Sequence, residues 1–289
     1  MKKKISEILI ETCIKLSGFL VIAFVILIFL FLLKDALSLF RAYNVGSFLF
    51  GKNWLPISEP PQFGIMPLLL GSVYVTAGAV VICVPLGIAT AMFIAEVAPS
   101  YLKNVLKSLI EILASIPSVV LGFIGIIWLG PFMKDNLHIS TGMCGLTGSV
   151  LLAFMALPTI ISLSEDALIS VPRSYREAAY GLGATKWQTL WRILLPAASS
   201  GIIAAVMLGI GRVIGETMVV MMVTGNAPVM PDSILKPLRT LTATIAGEMG
   251  ETVSGSEHYF ALFAVGLVLF VITFLINISA DVFLRRARK

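Results

Sequence analysis

Arg212 and Glu216 form the one pair of opposite charges that lies deep within a long apolar stretch of this sequence. They are four positions apart, so on a continuous helix they would share one face and touch. A charge at the centre of a membrane-spanning helix costs about 2.5–3.5 kcal/mol on insertion scales, and it normally faces a bundle interior or a watery path. Thr217 follows directly, and Thr224 and Asn226 extend the polar face. This segment is the first candidate for a functional site.

Two compatible interpretations of this charge pair remain open. In the first, a buried ion pair fixes helix packing, and Gly211 and Gly215 allow a second helix to approach closely. In the second, Arg212 is the electropositive element of a path for an anion, and Glu216 neutralises it while the path is empty. Arginine suits the second role because its guanidinium stays charged and its planar fork matches two oxygens of a phosphate-like anion.

A second candidate site is the polar segment 164–196, which we call the platform. Pro172 is suited to the first turn of a helix over 173–182, which Gly181 and Gly183 would close. A second helical pattern from Ala184 places four large apolar residues on one face: Trp187, Leu190, Trp191 and Leu194. Large aromatic side chains on a helix outside the bilayer need a cover, so the platform is predicted to dock a partner.

Several other kinds of site are not expected. The sequence has no phosphate-binding loop of the GxxxxGK[ST] type, and Gly209, Gly211 and Gly215 do not have the spacing of a dinucleotide loop. Its three cysteines stand at unrelated positions, and its two histidines, His138 and His258, lie far apart in predicted loops. We therefore expect no metal, no cofactor and no ATP site on this chain.

The composition predicts an integral membrane protein. The 289 residues are 58% hydrophobic and only 13% charged, about half the charged fraction of a soluble domain. Uncharged runs long enough for a bilayer-spanning helix, about 20 residues, recur throughout. The predicted spans are 16–33, 68–95, 112–129, 146–163, 197–223 and 259–280. A short loop with Lys103 and Lys107 is expected after the second span, and 235–249 could form a helix along the outer surface.

The distribution of positive charge predicts the orientation. On this topology 14 of the 21 Lys and Arg residues lie on the side of the termini and the platform, and 6 lie on the other side. An excess of this kind marks the cytoplasmic side. Both termini and the platform are therefore predicted to be cytoplasmic, and the net charge of +5 reflects orientation rather than nucleic-acid binding.

The platform resembles the EAA loop of ABC importer permeases. Glu177, Ala178 and Ala179 are followed after three residues by Gly183, and after nine more by Ile193-Leu-Leu-Pro196. In that family the loop forms coupling helices that sit in a groove of a separate ATPase subunit. The resemblance implies this coupling role for six residues: Glu177, Ala178, Ala179, Gly183, Trp187 and Trp191.

The segment 211–226, GRVIGETMVVMMVTGN, is similar to PstC-type permeases of the bacterial phosphate-specific ABC importer, as are 117–123 and the SEDAL run from Ser164. The resemblance implies an all-α integral membrane protein with six transmembrane helices and the type I ABC importer permease fold. Residues 1–67 would hold the N-terminal tail, the first transmembrane helix and the first outer loop. Residues 68–289 would hold the transmembrane core, with the cytoplasmic EAA coupling loop at 164–196.

The same resemblance implies a transporter subunit rather than an enzyme, placed in the bacterial inner membrane. Arg212, Glu216 and Thr217 would line a path for inorganic phosphate. The implied partners are a sister permease of the PstA type, an ATPase dimer of the PstB type and a phosphate-binding protein of the PstS type. The residues leave open a permease for molybdate or sulfate, a secondary anion transporter without an ATPase, and a regulatory role in phosphate signalling.

Overall fold

The computed structural model describes residues 5–287, and these form a helical bundle with one short antiparallel hairpin. In chain order the elements up to the fourth predicted span are α1 (Ile5–Ala42), α2 (Val45–Phe50), β1 (Trp54–Leu55), β2 (Gln62–Phe63), α3 (Met66–Met92), α4 (Ser100–Ser115), α5 (Ser118–Ile124), α6 (Gly130–Leu137) and α7 (Gly145–Ile169). They continue as α8 (Arg173–Gly181), α9 (Lys186–Thr189), α10 (Leu195–Ala197), α11 (Ser199–Ile214), α12 (Met218–Val223), α13 (Leu241–Glu248) and α14 (Glu257–Ala287). Three π-helical turns continue α3, α5 and α9: Phe93–Val97, Gly125–Leu129 and Leu190–Leu194.

Five of these helical stretches are long and apolar enough to cross a bilayer: Ile10–Ala42, Met66–Val97, Ser118–Leu137, Gly145–Ile169 and Glu257–Ala280. A sixth candidate is the pair Lys186–Ala197 and Ser199–Ile214, which is bent by 71°. The membrane-spanning helical architecture predicted from the sequence is therefore confirmed. Lys2 to Lys4, Arg288 and Lys289, which are among the positive residues predicted for the two termini, lie outside the described residues.

The third span was placed wrongly by the sequence. It runs over Ser118–Leu137 rather than 112–129, and Pro117 is the residue that caps it instead of lying within it. The predicted loop with Lys103 and Lys107 is the helix α4. A hydropathy window cannot separate the apolar end of α4 from the span that follows, whereas Pro117 ends one helix and begins the next because its ring clashes with a preceding helical turn.

The core of the bundle is built around α7, which packs against α3 and α11. Two glycines allow this close approach at Ile160. A Cβ on Gly87 of α3 would lie 2.7 Å from Ile160 Cγ2, and one on Gly209 of α11 would lie 2.6 Å from Ile160 Cγ1. The first helix stands apart from this core and packs along α14.

One end of the bundle is closed by a cluster around Glu248; we call it the outer end, after the orientation that the charge distribution predicts. Its carboxylate accepts a hydrogen bond from Trp54 Nε1 at 3.1 Å, contacts His258 Nε2 at 2.8 Å and pairs with Arg239. The helix expected along the surface at 235–249 is only Leu241–Glu248, and its first turn is buried rather than superficial. His258 lies in the first turn of α14 and not in a loop. The cluster joins the hairpin, α13 and α14.

Candidate functional site

The fifth span is broken where the sequence predicts continuity. α11 ends at Ile214 and α12 begins at Met218, so Gly215, Glu216 and Thr217 connect two helices. The Glu216 carboxylate accepts hydrogen bonds from the backbone N–H groups of Met218 at 3.1 Å and Val219 at 3.3 Å. It therefore caps the first turn of α12, which a side-chain oxygen ahead of a helix commonly does.

The predicted contact between Arg212 and Glu216 is wrong, since the described residues show no ion pair between them. An i, i+4 contact needs an uninterrupted helix, and this helix ends between the two residues. The Arg212 Nη1 atom instead donates to Thr159 Oγ1 on α7 at 3.2 Å. Arg212 and Glu216 nevertheless line one narrow crevice together with Leu152 and Met155 of α7.

The guanidinium of Arg212 is largely unused by the rest of the described chain. The residue is exposed, and Thr159 is its one hydrogen-bond partner among the described residues. A guanidinium carries five N–H donors, so most of its donors remain available. Thr159 was not predicted, because the polar residues considered together with Arg212 all lay in its own segment; the available signal was a hydroxyl directly after Pro158 in the fourth predicted span.

The predicted role of Gly211 and Gly215 in helix packing is not seen among residues 5–287. Within this described part, a Cβ on Gly211 would meet nothing within 4 Å, and one on Gly215 would meet only the carbonyl oxygen of Gly211. The glycines that allow close packing of α11 are Gly209, against Ile160, and Gly201, where a Cβ would lie 2.5 Å from the Ala167 Cβ. The face that carries Gly211 and Arg212 is open.

Hydroxyl groups surround the break in the fifth span. Thr242 Oγ1 donates to the Glu216 carbonyl at 2.9 Å, and Ser72 Oγ accepts from the Leu241 N–H at 2.9 Å. Thr217 is partly buried, and its hydroxyl donates to the Gly215 carbonyl at 3.4 Å. Thr224, directly after α12, is buried, and its hydroxyl donates to the Val220 carbonyl. It therefore does not extend an open polar face. The hydroxyl groups of Thr242 and Thr217 supply partners for carbonyls at the break in the helix, as membrane-embedded backbone requires.

The middle of the platform folds as two short helices, α8 and α9, with a tight turn between them. Gly183 has a φ of +79°, a left-handed conformation that side-chain-bearing residues rarely adopt, and it follows the end of α8. Thr185 and Gln188 form a reciprocal capping box at the start of α9. The predicted helical pair and its glycine hinge are confirmed, although Pro172 caps α8 from outside and is not its first residue.

The apolar stripe predicted on the second platform helix faces two ways. Leu190 and Leu194 are buried at 2% and 1% exposure, whereas Trp187 and Trp191 are 61% and 46% exposed. The π-helical turn over Leu190–Leu194 widens the helix, so residues three apart no longer share one face, whereas residues four apart still do. The leucines hold the platform onto the bundle, and the tryptophans, stacked edge to face at 5.8 Å, remain uncovered.

The remaining predicted coupling residues lie on or near the same outward surface. Glu177, Ala178 and Gly183 are exposed, whereas Ala179 is buried beneath them. Leu182 is 90% exposed at the turn, and the sequence analysis missed it because it stands between two glycines. Exposed apolar surfaces with polar rims are typical of sites that contact proteins or membranes.

Two sets of ion pairs that were not predicted from the sequence join helices near the platform. Glu165 of α7 is 2% exposed, and its carboxylate lies 3.4 Å from Lys103 Nζ and 3.1 Å from Lys107 Nζ of α4. Arg176 of α8 pairs with Glu96, which lies in the π-helical turn after α3. Spacing along the sequence could not reveal these pairs because their members are 58 or more residues apart.

The sequence of residues 83–289, more than half of the chain, matches the family described as binding-protein-dependent transport system inner membrane component. A probable ABC transporter permease protein, YqgH, of Bacillus subtilis is 41% identical over 94% of this chain and 89% of its own. The phosphate transport system permease protein PstC of Mesorhizobium japonicum is 39% identical over 83% and 78%, respectively.

Solved structures with the same fold include a bacterial alginate ABC transporter in complex with a pentasaccharide-bound periplasmic protein. It has a TM-score of 0.63 and 16% identity, and the match covers 95% of each chain. The inward-facing MetNI methionine ABC transporter has a TM-score of 0.60 and 22% identity, and covers 80% of this chain and 99% of its own. The fold is that of type I ABC importer permeases, and the chain belongs to the family of binding-protein-dependent transport system inner membrane components.

Proposed function

We propose that this chain is a permease subunit of an ATP-driven importer and that it forms, with a sister permease, the path for inorganic phosphate. The observation that carries the proposal is the open guanidinium of Arg212, which lies in the predicted fifth span and has one hydroxyl as its hydrogen-bond partner among the described residues. A fork of unpaired N–H donors at that depth suits a tetrahedral oxyanion. The relatives named as phosphate permeases favour phosphate among such anions.

The role of Glu216 in this proposal differs from neutralising Arg212 by direct contact. Its carboxylate is held by the backbone of α12, while its side chain still borders the crevice that Arg212 lines. It places negative charge next to the path without occupying the guanidinium. Phosphate therefore meets a site of moderate affinity, which allows release, because a deep energy well would slow transport.

The platform is proposed to deliver the force of ATP hydrolysis. Its exposed tryptophans and Leu182 would enter a groove of an ATPase of the PstB type, together with Glu177, Ala178 and Gly183. A phosphate-binding protein of the PstS type would dock at the outer end, and the sister permease would be of the PstA type. On this arrangement both termini and the platform are cytoplasmic, as the charge distribution predicts.

Purification of the chain from its source membranes, followed by reconstitution in liposomes, tests this proposal. We expect an ATPase and a second permease to co-purify with the chain, and the purified complex to bind the phosphate-binding protein. In liposomes, uptake of radiolabelled phosphate should require ATP. Unlabelled molybdate and sulfate should compete poorly. Equal competition by either would assign another oxyanion, and uptake without the ATPase would assign a secondary transporter.

A further inference from the structure

Arg176 stands one residue before the exposed Glu177, yet its side chain is directed into the bundle and is only 18% exposed. Its Nε donates to Glu96 Oε1 at 3.0 Å, and Nη2 also bonds that carboxylate. Nη1 donates to the Val171 carbonyl at 2.9 Å, and Nη2 donates to the Leu168 carbonyl at 3.0 Å. One guanidinium thus joins α8 to the π-helical turn after α3 and to the end of α7.

This contact differs in kind from the others between the platform and the bundle. Beneath the platform, Leu190 and Leu194 pack with Met92 and Leu168 in an apolar cluster. Apolar contact has no preferred direction, so it permits the two surfaces to slide. A guanidinium fork bonded to a carboxylate and two carbonyls fixes both distance and orientation.

The chain connection alone would transmit movement poorly. Only Ser170, Val171 and Pro172 link α7 to α8, and no chain segment links α8 directly to α3. A displacement of α8 would then be absorbed by rotation at this short linker. Both carboxylate and guanidinium are less than one-fifth exposed, at 17% and 18%, so solvent screens their attraction less than at the surface.

We infer that the contact between Arg176 and Glu96 is the joint that carries movement of α8 to α3 and α7. Arg176 is therefore a positioning residue for coupling and does not itself touch the transported anion. This inference rests on the proposed function, because it presupposes that the platform moves with an ATPase. The crevice at Arg212 is lined in part by residues of α7, and α7 is one of the two helices that Arg176 contacts.

The test measures phosphate transported per ATP hydrolysed in the whole importer, purified with its other subunits and reconstituted in liposomes. We expect Arg176→Gln to retain the ATPase and to keep hydrolysis within about two-fold of the unaltered importer, while transport per ATP falls at least ten-fold. Glu96→Gln should behave alike, and the double variant should be no worse than either alone. Arg176→Lys should recover part of the loss, since a lysine can reach Glu96 but cannot bond both carbonyls as well.

The matched control is Arg173→Gln. Arg173 lies on the same helix, is exposed and has no partner among the described residues, so its loss should leave transport per ATP unchanged. An unchanged ratio in Arg176→Gln, an equal fall in Arg173→Gln, or a double variant with multiplied losses would each overturn the inference. If Arg176→Gln does not assemble, transport per ATP of Glu96→Gln tests the inference instead, with the same expected fall and the same contrary result. Failure of the unaltered importer to transport phosphate would instead refute the proposed function.

Discussion

At the residue scale, Arg212 has a side chain whose loss should affect transport far more than folding. The residue is exposed, and its guanidinium has one hydrogen-bond partner within the described chain. We expect Arg212→Gln to abolish phosphate uptake while the complex assembles at normal levels, and Arg212→Lys to be damaging because a point charge cannot replace the planar fork. Uptake in whole cells, with complex levels measured in the same membranes, checks this.

The control for that experiment is Arg41→Gln, which removes an exposed arginine at the outer end of α1. It lowers the charge of the chain equally but should leave uptake unchanged. Wild-type uptake by Arg212→Gln cells with normal complex levels would show that Arg212 is not part of the anion path.

Thr159 should matter through its hydroxyl, which orients Arg212. Thr159→Val keeps the shape of the side chain and removes one hydrogen bond, worth about 0.5–1.5 kcal/mol, so we expect uptake to fall about two- to ten-fold. Thr273→Val is the matched control, since the Thr273 hydroxyl bonds only to the backbone of its own helix. Equal uptake by both variants would argue against a role for the Thr159 hydroxyl.

The residue types at this site were predictable from the sequence, but their contacts were not. A charged pair in an apolar run singled out Arg212 and Glu216 correctly as unusual. Its spacing predicted a contact that does not form, because the break at Gly215 depends on tertiary partners such as Thr242. Thr159 lies on a different helix, 53 residues from Arg212 along the chain, and the sequence does not show which helices are neighbours.

At the element scale, the platform depends on a turn that tolerates glycine and few other residues. Gly183 has a φ of +79° with open space around it, so Gly183→Val would add backbone strain of about 1–2 kcal/mol or more without a steric clash. We expect the turn to change shape, and the ATPase to be released or its hydrolysis uncoupled from transport. Glu177→Lys, which reverses a charge on the exposed face, should have the same effect.

Co-purification of the ATPase and transport per ATP measure both outcomes. Gly181→Val serves as the control, since Gly181 is the last residue of α8, lacks a positive φ and also has open space. Unchanged assembly and coupling in both Gly183→Val and Glu177→Lys would contradict docking at this surface.

The elements themselves were predicted unevenly, for a physical reason. The spans within α7 and α14 were placed correctly because a membrane-spanning helix leaves a long apolar run, whether it faces lipid or the core of the bundle. The boundary between α4 and α5 was not, since both sides of Pro117 are apolar. The division of the platform stripe into buried leucines and exposed tryptophans depends on a π-helical turn, which sequence periodicity assumes to be absent.

At the scale of the whole molecule, the orientation in the membrane is the prediction that remains to be measured. Ile57 in the first outer loop and Leu182 on the platform are 92% and 90% exposed. In a Cys13→Ser background, which leaves the buried Cys83 and Cys144, we expect Ile57→Cys to react with a membrane-impermeant maleimide from outside. Leu182→Cys should react only in inverted vesicles. The reverse pattern would invert the topology and place the platform away from any cytoplasmic ATPase.

The cluster at Glu248 has a mechanical consequence for the whole molecule. Trp54, Arg239 and His258 bring three segments of the chain to one carboxylate, so the helices are clamped together at that end. Helices that are held together at one end can move apart only by pivoting about that end. We therefore expect a push on the platform to move the helices most at the platform end, while the end that holds Glu248 keeps its shape.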